Sequence, residues 1–230
     1  MDELLLSDNI AKLLQRVRRS AEKSQYGNSD ILVIAVSKTR PAEDIRAAHN
    51  CGLKDFGESY LREALEKKAQ LEDLHLVWHF IGPIQSNKTG PIAAHFDWVH
   101  SIDRDKVARR LSAQRPEHLP PLQVCIQVNI SREESKSGTT IEELPGLART
   151  IIELPHLQLR GLMAVPAATA DPVQQREAFS RLREALTRLR TLAPGLDTLS
   201  MGMSGDLEAA IVEGATAIRV GTAIFGVRNR

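Results

Sequence analysis

A single lysine ends an apolar run near the start of the chain, and a lysine in that setting is capable of covalent chemistry. Residues 31–40 read ILVIAVSKTR, and such a β-branched run is typical of a strand buried on both faces. Alternate strand residues point the same way, so we expect Lys38 to share the interior face of Ile34 and Val36. An amine that loses hydration has a lowered pKa and forms a Schiff base with an aldehyde. A lysine simply solvated after its strand is an equally good interpretation of this segment alone.

Two small-residue turns near the end of the chain have the composition of a phosphate site. Residues 200–206 read SMGMSGD, and we predict that they lead from a strand into a helix with Ser204 as its N-cap. Gly221 and Thr222 follow the next predicted strand in the same way. The simpler interpretation is that Gly202 is a turn residue and Ser204 an ordinary cap. The phosphate interpretation is favoured if the fold is a barrel, because barrels commonly bind phosphate after strands seven and eight.

Eight apolar segments alternate with helical patterns, which is the signature of parallel βα units. The predicted strands are 31–36, 54–58, 77–81, 97–102, 122–129, 158–163, 197–202 and 217–221. The predicted helices are 42–50, 58–72, 84–94, 104–114, 140–154, 173–193 and 204–214, preceded by an amphipathic N-terminal helix. We therefore predict an α/β fold, a single (β/α)8 TIM-type barrel over residues 1–230 with an extra N-terminal helix. An open doubly wound sheet is the main rival, but the GxGxxG fingerprint and the Walker A loop are absent.

The composition narrows the classes of partner. Lys and Arg number 30 against 29 Asp and Glu, a formal net charge of +1, which gives no electrostatic footprint for nucleic acid. Cys51 and Cys125 form neither a disulfide framework nor a CxxC metal motif. The N-terminal segment is neither a secretory signal nor a membrane span. We expect a cytosolic protein with no metal and no membrane partner.

Other polar residues at the predicted strand ends have less specific interpretations. His79 and Lys88, in HFIGPIQSNK, either line the barrel mouth or serve as turn and surface groups. Lys136 lies in a polar loop, where a mobile surface lysine is the usual case. We interpret His100 and Asp103 as loop polar groups.

The motifs taken together resemble one family. The segments are AVSKT (35–39), FGES (56–59), WHFIGPIQSNK (78–88), VNISREESKSG (128–138), RGLMAVP (160–166), LSMGMSGDLEAAI (199–211) and IRVGTAIFG (218–226). In order and spacing they are similar to the pyridoxal phosphate homeostasis proteins, whose fold is similar to the barrel domain of alanine racemase. The resemblance implies that Lys38 carries pyridoxal 5′-phosphate as an internal aldimine. It further implies cofactor binding by Ser204, Gly221 and Thr222 at the phosphate, by Arg219 at the pyridine nitrogen, and by Ser59, Met163, Ser200 and Gly202.

One motif departs from the family pattern. Where the family commonly has Gly-Glu-Asn after the second strand, this chain has Gly57-Glu58-Ser59. An asparagine amide reaches further than a serine hydroxyl and both donates and accepts. If the family's asparagine contacts the cofactor, Ser59 needs a bridging water to do the same.

Three functions are compatible with these residues. The resemblance favours a pyridoxal phosphate-binding protein that carries and buffers the cofactor, with little or no catalysis, and passes it to apo-enzymes. Arginine keeps its proton, so Arg219 would leave the ring nitrogen unprotonated and the ring a weak electron sink. With Tyr26 and Tyr60 as its two tyrosines, and no tyrosine-bearing second domain expected after residue 226, the chain is a poor candidate racemase. A pyridoxal phosphate-dependent amino-acid racemase stays the alternative, and a phosphate-sugar barrel using Lys38 as an aldolase-type Schiff base is the third. By analogy we expect a monomer.

Overall fold

The computed structural model describes residues 3–27, 30–131, 133 and 137–227. The strands are β1 Leu32–Val36, β2 Asp55–Glu58, β3 Val77–Phe80, β4 Trp98–Ile102, β5 Leu122–Gln127, β6 Leu157–Met163, β7 Thr198–Ser200 and β8 Ala217–Val220. The α-helices are α1 Glu3–Ala21, α2 Ala42–Asn50, α3 Leu61–Gln70, α4 Thr89–His95, α5 Asp105–Gln114, α6 Leu144–Ile152, α7 Pro172–Leu189, α8 Leu207–Val212 and α9 Thr222–Phe225. A 3₁₀ turn, Ser86–Lys88, precedes α4.

The eight strands form one closed parallel barrel. Each strand pairs with the next along the chain, and β8 pairs with β1 to close the ring. This confirms the predicted (β/α)8 TIM-type barrel and excludes an open doubly wound sheet. In a barrel of this kind the carboxyl ends of all eight strands open on one mouth, where functional side chains gather.

The two faces of each strand pack against different surroundings. In β1, Val33 and Ala35 belong to the apolar core between barrel and helices. Ile34 is completely buried on the other face, inside the barrel. The interior is narrow there, since a Cβ added to Gly57 would lie 3.1 Å from a methyl of Ile34. Lys38 lies in the turn that follows β1, so its direction toward the barrel axis stays a prediction from the parity of Ile34.

The predicted N-terminal helix is confirmed and completes the outer layer. One face of α1 is buried through Leu6, Ile10, Leu13 and Val17, and the helix packs against α2, α8 and α9. Because α9 is a single turn, α1 covers the part of the barrel that a longer eighth helix would cover. Across the described part of the chain, every helix is too short or too polar to cross a bilayer.

Prolines account for the two helices whose starts differ most from the prediction. The helix predicted at 84–94 begins as α4 at Thr89, with Pro91 in its first turn. The helix predicted at 140–154 begins as α6 at Leu144, with Pro145 in its first turn. Proline lacks the N–H that a helix interior requires, so it fits only near a helix start.

Candidate functional site

Lys38 and the turn after β8 lie at neighbouring strand ends. Lys38 follows β1 by two residues and is half-buried. β1 pairs with β8 through Ala35 and Val220, so the next residue, Gly221, packs against the last residue of β1. A Cβ added to Gly221 would lie 3.3 Å from the Val36 carbonyl oxygen. The pairing therefore brings an amine and a small-residue turn to one side of the mouth.

Ser204 caps a different helix from the one that the sequence predicts. The N-cap of α8 is Asp206, not Ser204, because residues 204–206 form a turn before the helix begins. The Ser204 hydroxyl oxygen instead accepts a hydrogen bond of 3.2 Å from the backbone N–H of Ala223 in α9. The prediction that Ser204 caps the helix after β7 is wrong. Its hydroxyl joins the loop after β7 to the turn at Gly221 and Thr222, so the two turns lie side by side.

Arg219 lies inside the barrel with only 4% of its surface exposed. Its Nη1 donates to the Ser200 carbonyl oxygen (2.6 Å) and hydroxyl oxygen (2.7 Å), and its Nη2 donates to the Ala164 carbonyl oxygen (2.9 Å). Burial lowers the pKa of Arg219 to about 10, so the guanidinium still carries its charge at neutral pH. Among the described residues these bonds occupy three of its five N–H groups. Two donors therefore stay available to a ligand.

The other predicted site residues lie near the same mouth in different roles. Met163 ends β6 and is buried, while Ser200 ends β7 and is completely buried, bonded to Arg219. Gly202 has φ +96°, and a Cβ there would lie 2.6 Å from the Ala210 side chain, so the position requires glycine. Ser59 follows β2 and is half-buried. The turn thus depends on Gly202 for its close packing.

The peptide group before Lys38 is held by a buried ion pair. The Lys67 ammonium, on α3, donates to the Ser37 carbonyl oxygen (2.8 Å) and to the Glu58 carboxylate (2.7 Å). The Ser37 hydroxyl donates to the same Glu58 oxygen (2.7 Å). Burial raises the pKa of Glu58, and the nearby Lys67 opposes that rise. The network fixes the chain between the end of β1 and Lys38.

The peptide group after Lys38 is held from the same helix. The Thr39 N–H donates to the Glu63 carboxylate (2.5 Å), which also accepts from the Lys67 ammonium (2.5 Å). Thr39 has φ 65°, an uncommon conformation for a β-branched residue. Lys67 and Glu63 therefore fix both backbone neighbours of Lys38, through bonds that do not involve the Lys38 side chain.

We expect Lys67→Met to lower the free energy of unfolding by about 3–5 kcal/mol, because it leaves the buried Glu58 carboxylate without its cation. Urea unfolding measures this loss. The double variant Glu58→Gln with Lys67→Met removes both charges and should recover a large part of it. Lys106→Met, at an exposed position, is the control and should change little. A loss under about 1 kcal/mol for Lys67→Met would show that the pair is not a structural element.

The interpretation of His100 as a loop polar group is wrong. His100 is the third residue of β4 and is completely buried inside the barrel, as is His79 in β3. His79 therefore does not line the mouth. Lys88 is exposed in the 3₁₀ turn, Asp103 forms an ion pair with Arg104, and Lys136 lies outside the described residues.

Sequence reasoning missed Lys67, Glu63 and Asp55. Lys67 and Glu63 are charged residues on a helix, one turn apart, which is typical of a solvated surface pair. The available signal was the alternation of inward and outward side chains along β2. Phe56 and Glu58 alternate with Gly57, so Glu58 had to face the helices, where a buried carboxylate needs a cation. Asp55 at the start of β2 had the same parity as Gly57 and therefore faced the barrel interior.

The comparisons with known proteins agree with this geometry. Residues 7–229 match the family model described as alanine racemase, N-terminal domain. The pyridoxal phosphate homeostasis protein of Pseudomonas aeruginosa is 59% identical over 224 residues, covering 97% of this chain and 96% of that protein. The protein of that name from Escherichia coli K12 is 47% identical over 227 residues, with 97% of each covered.

Solved structures show the same barrel. PipY of Synechococcus elongatus with pyridoxal phosphate bound has a TM-score of 0.84 and 35% identity, covering 96% of this chain and 100% of that one. Alanine racemase of Corynebacterium glutamicum has a TM-score of 0.67 at 18% identity, and the match covers 98% of this chain and 62% of that one. The racemase likeness concerns the fold alone.

The closed barrel, with its lysine after β1 and its turns after β7 and β8, defines a protein of the alanine racemase N-terminal-domain class. Within that class, the identity over nearly the whole chain is decisive. The chain belongs to the pyridoxal phosphate homeostasis protein family.

Proposed function

We propose that this chain binds pyridoxal 5′-phosphate at the barrel mouth and acts as a carrier and buffer of the cofactor. One observation carries the proposal: β8 pairs with β1 so that Gly221 packs against Val36, two residues before Lys38, and Arg219 lies on the same β8. An amine for the aldehyde, a turn for the phosphate and a cationic donor for the ring nitrogen are the three groups that this cofactor needs.

The residues present fit the cofactor. Lys38 Nζ would form a C=N bond with the aldehyde carbon, with loss of water, giving a Schiff base. Thr222 is exposed and Gly221 half-buried, so both are accessible to a phosphate, and the Ser204 hydroxyl lies beside them. One of the two N–H groups that Arg219 keeps available would donate to the ring nitrogen.

The remaining predicted residues would support the site. Met163 would pack at the mouth, and Gly202 would allow the turn its close approach to α8. Ser200 would act through Arg219, to which it is bonded, and Ser59 would reach the cofactor through water.

Weak catalysis is part of the proposal. Bound pyridoxal phosphate supplies an electron sink, which is stronger when its ring nitrogen is protonated. Arg219 is a donor at neutral pH and does not give up its proton, so it supports an unprotonated nitrogen. Binding and release of the cofactor, rather than turnover, are what these side chains favour.

Absorption spectroscopy tests the proposal directly. Purified apo-protein titrated with pyridoxal phosphate should develop the visible band of a protonated Schiff base, and borohydride should remove it. The loaded protein should then restore activity to an apo-enzyme that depends on the cofactor, more slowly than free cofactor does. An unchanged spectrum at saturating cofactor would refute the binding proposal. If the loaded protein does not reactivate the apo-enzyme, the carrier role is refuted.

We expect Ser204→Ala with Thr222→Ala to raise the dissociation constant for pyridoxal phosphate at least about tenfold, because a hydrogen bond to a charged group contributes about 1.5–3 kcal/mol. The free energy of unfolding of the apo form should fall by only about 1 kcal/mol, the typical cost of losing a helix cap. Equilibrium dialysis and thermal unfolding separate the two effects.

A matched double variant on α7, Ser180→Ala with Thr187→Ala, removes two comparable hydroxyls whose bonds are to backbone carbonyls of their own helix. It should leave the affinity unchanged. Equal affinity in the Ser204 and Thr222 variant would place the phosphate elsewhere.

A cytosolic location and a monomeric state complete the proposal. Light scattering on the purified protein measures the mass directly, against 25.4 kDa for one chain. A dimer would contradict the monomer expectation without affecting the cofactor site.

A further inference from the structure

A continuous chain of hydrogen bonds crosses the interior of the barrel. His79 Nε2 lies 2.9 Å from Asp55 Oδ1, and His79 Nδ1 lies 2.9 Å from His100 Nε2. His100 Nδ1 lies 2.8 Å from Ser200 Oγ, which accepts from Arg219 Nη1 at 2.7 Å. The contact between His100 and Ser200 spans the barrel from β4 to β7, two strands that are not neighbours. This chain of hydrogen bonds thus connects the amino-terminal end of β2 with the arginine on β8.

If both imidazoles are neutral, the two ends determine the direction of every bond. Arg219 can only donate, so Ser200 Oγ accepts from it and its hydroxyl hydrogen is free to point at His100 Nδ1. His100 then carries its proton on Nε2 and donates to His79 Nδ1. His79 in turn carries its proton on Nε2 and donates to Asp55, whose ionised carboxylate can only accept. Two neutral imidazoles between these ends therefore share one tautomer.

Burial supports a neutral imidazole in the middle of the chain. Desolvation first, and then the repulsion that a charged His100 would meet from a protonated His79 and from Arg219, lower the pKa of His100 well below its ordinary value. The rings are also held in place by packing. Trp98 stacks on His79 with ring centroids 5.6 Å apart and lies at the same separation from His100.

Arg219 needs negative charge or aligned dipoles nearby, because a buried cation without a counter-charge is costly. Within the part of the chain that the structure describes, its hydrogen bonds go to Ser200 and Ala164. The Asp206 carboxylate favours the protonated guanidinium through its charge, without a hydrogen bond between the two described side chains. Asp55 has 20% of its side chain exposed and lies at the far end of four aligned hydrogen bonds. Aligned bonds polarise one another in a low-dielectric interior, so the negative end of each dipole faces the arginine.

We infer that Asp55, His79, His100 and Ser200 form a one-way relay that positions Arg219 and stabilises its charge from the opposite end of the barrel. The effect on the cofactor rests on the proposed function, whereas the direction of the bonds does not. Asp55, His79 and His100 are positioning residues, since they act on the mouth through Arg219.

Nitrogen-15 NMR of the apo-protein with labelled histidine tests the relay without any cofactor. Two-bond correlations distinguish the tautomers, and both His79 and His100 should carry the proton on Nε2. In Asp55→Asn the amide can donate to His79 Nε2 instead of accepting. A similar change beside the histidine of serine proteases leaves the geometry intact but selects the wrong tautomer. We therefore expect His79 and His100 to populate the Nδ1-protonated form in this variant.

Cofactor affinity supplies the second readout. Asp55→Asn should raise the dissociation constant for pyridoxal phosphate at least about fivefold, the equivalent of one ordinary hydrogen bond. Asp73→Asn, which breaks an exposed ion pair with Arg46, should leave both readouts unchanged.

Either of two results would overturn the relay: a proton on Nδ1 of His100 in the parent protein, or unchanged affinity in Asp55→Asn. The first measurement needs no variant and so does not depend on the folding of Asp55→Asn. If the parent protein binds no pyridoxal phosphate, the proposed function fails. The histidine tautomers still determine the direction of the hydrogen bonds in that case.

Discussion

Lys38→Ala is expected to abolish covalent attachment of pyridoxal phosphate while the barrel stays folded. The amine is the only group of this residue able to form the C=N bond, so its removal should eliminate the visible band entirely. The bonds from Lys67 and Glu63 to the flanking peptide groups do not use the Lys38 side chain. We therefore expect the free energy of unfolding to change by no more than about 1 kcal/mol.

Borohydride reduction of the loaded protein followed by peptide mapping identifies the attached lysine. Lys88→Ala is the control, because Lys88 is exposed in the turn before α4 and should keep the full adduct. Recovery of the reduced cofactor on Lys88 or Lys136, with Lys38 unmodified, would contradict the assignment. Loss of the adduct together with loss of the folded state would instead assign Lys38 to the structure of the loop.

The fold was predictable because each strand carries its own local signal. The predicted strand 31–36 corresponds to β1 Leu32–Val36, and the predicted strand 217–221 to β8 Ala217–Val220. Buried parallel strands are short apolar runs, and this pattern does not depend on distant residues. The start of α4 was missed because Pro91 acts on a hydrogen bond one turn earlier, which an apolar pattern does not record.

The site was less predictable, because its hydrogen bonds join residues far apart in the chain. Ser204 has the sequence of a cap for α8, but its partner, Ala223, belongs to α9. His100 lies among polar residues near the end of the fourth predicted strand, yet its partner, Ser200, is 100 residues away. Side-chain pairing across a closed barrel follows from strand order and register, and a single sequence gives strand order far better than register.

The contacts around the mouth also explain why a lysine-bearing barrel need not be an efficient enzyme. Racemisation requires an acid and a base on opposite faces of the substrate carbon, and each positioned group contributes about 10²–10⁴-fold. Tyr26 precedes β1 and packs under the Arg183 guanidinium, 4.5 Å from its carbon, so it lies toward the amino-terminal ends of the strands. Tyr60 follows β2 at the mouth and is 53% exposed. An exposed phenol lacks the fixed position that efficient proton transfer requires.

We therefore expect the loaded protein to racemise amino acids at a rate close to that of free pyridoxal phosphate. Incubation with L-alanine, L-serine and L-lysine, followed by chiral chromatography, measures the rate, with Lys38→Ala plus an equal amount of free cofactor as the background. Tyr60→Phe should leave the rate of the loaded protein unchanged, because no catalysis is assigned to that phenol. Turnover of about 1–10³ s⁻¹, the ordinary enzymatic range, would replace the carrier proposal with the racemase alternative. A drop to background in Tyr60→Phe would then identify the catalytic phenol. The expected low rate follows from Arg219, since a guanidinium that is buried, charged and bonded to Ser200 has no proton to give to the ring nitrogen.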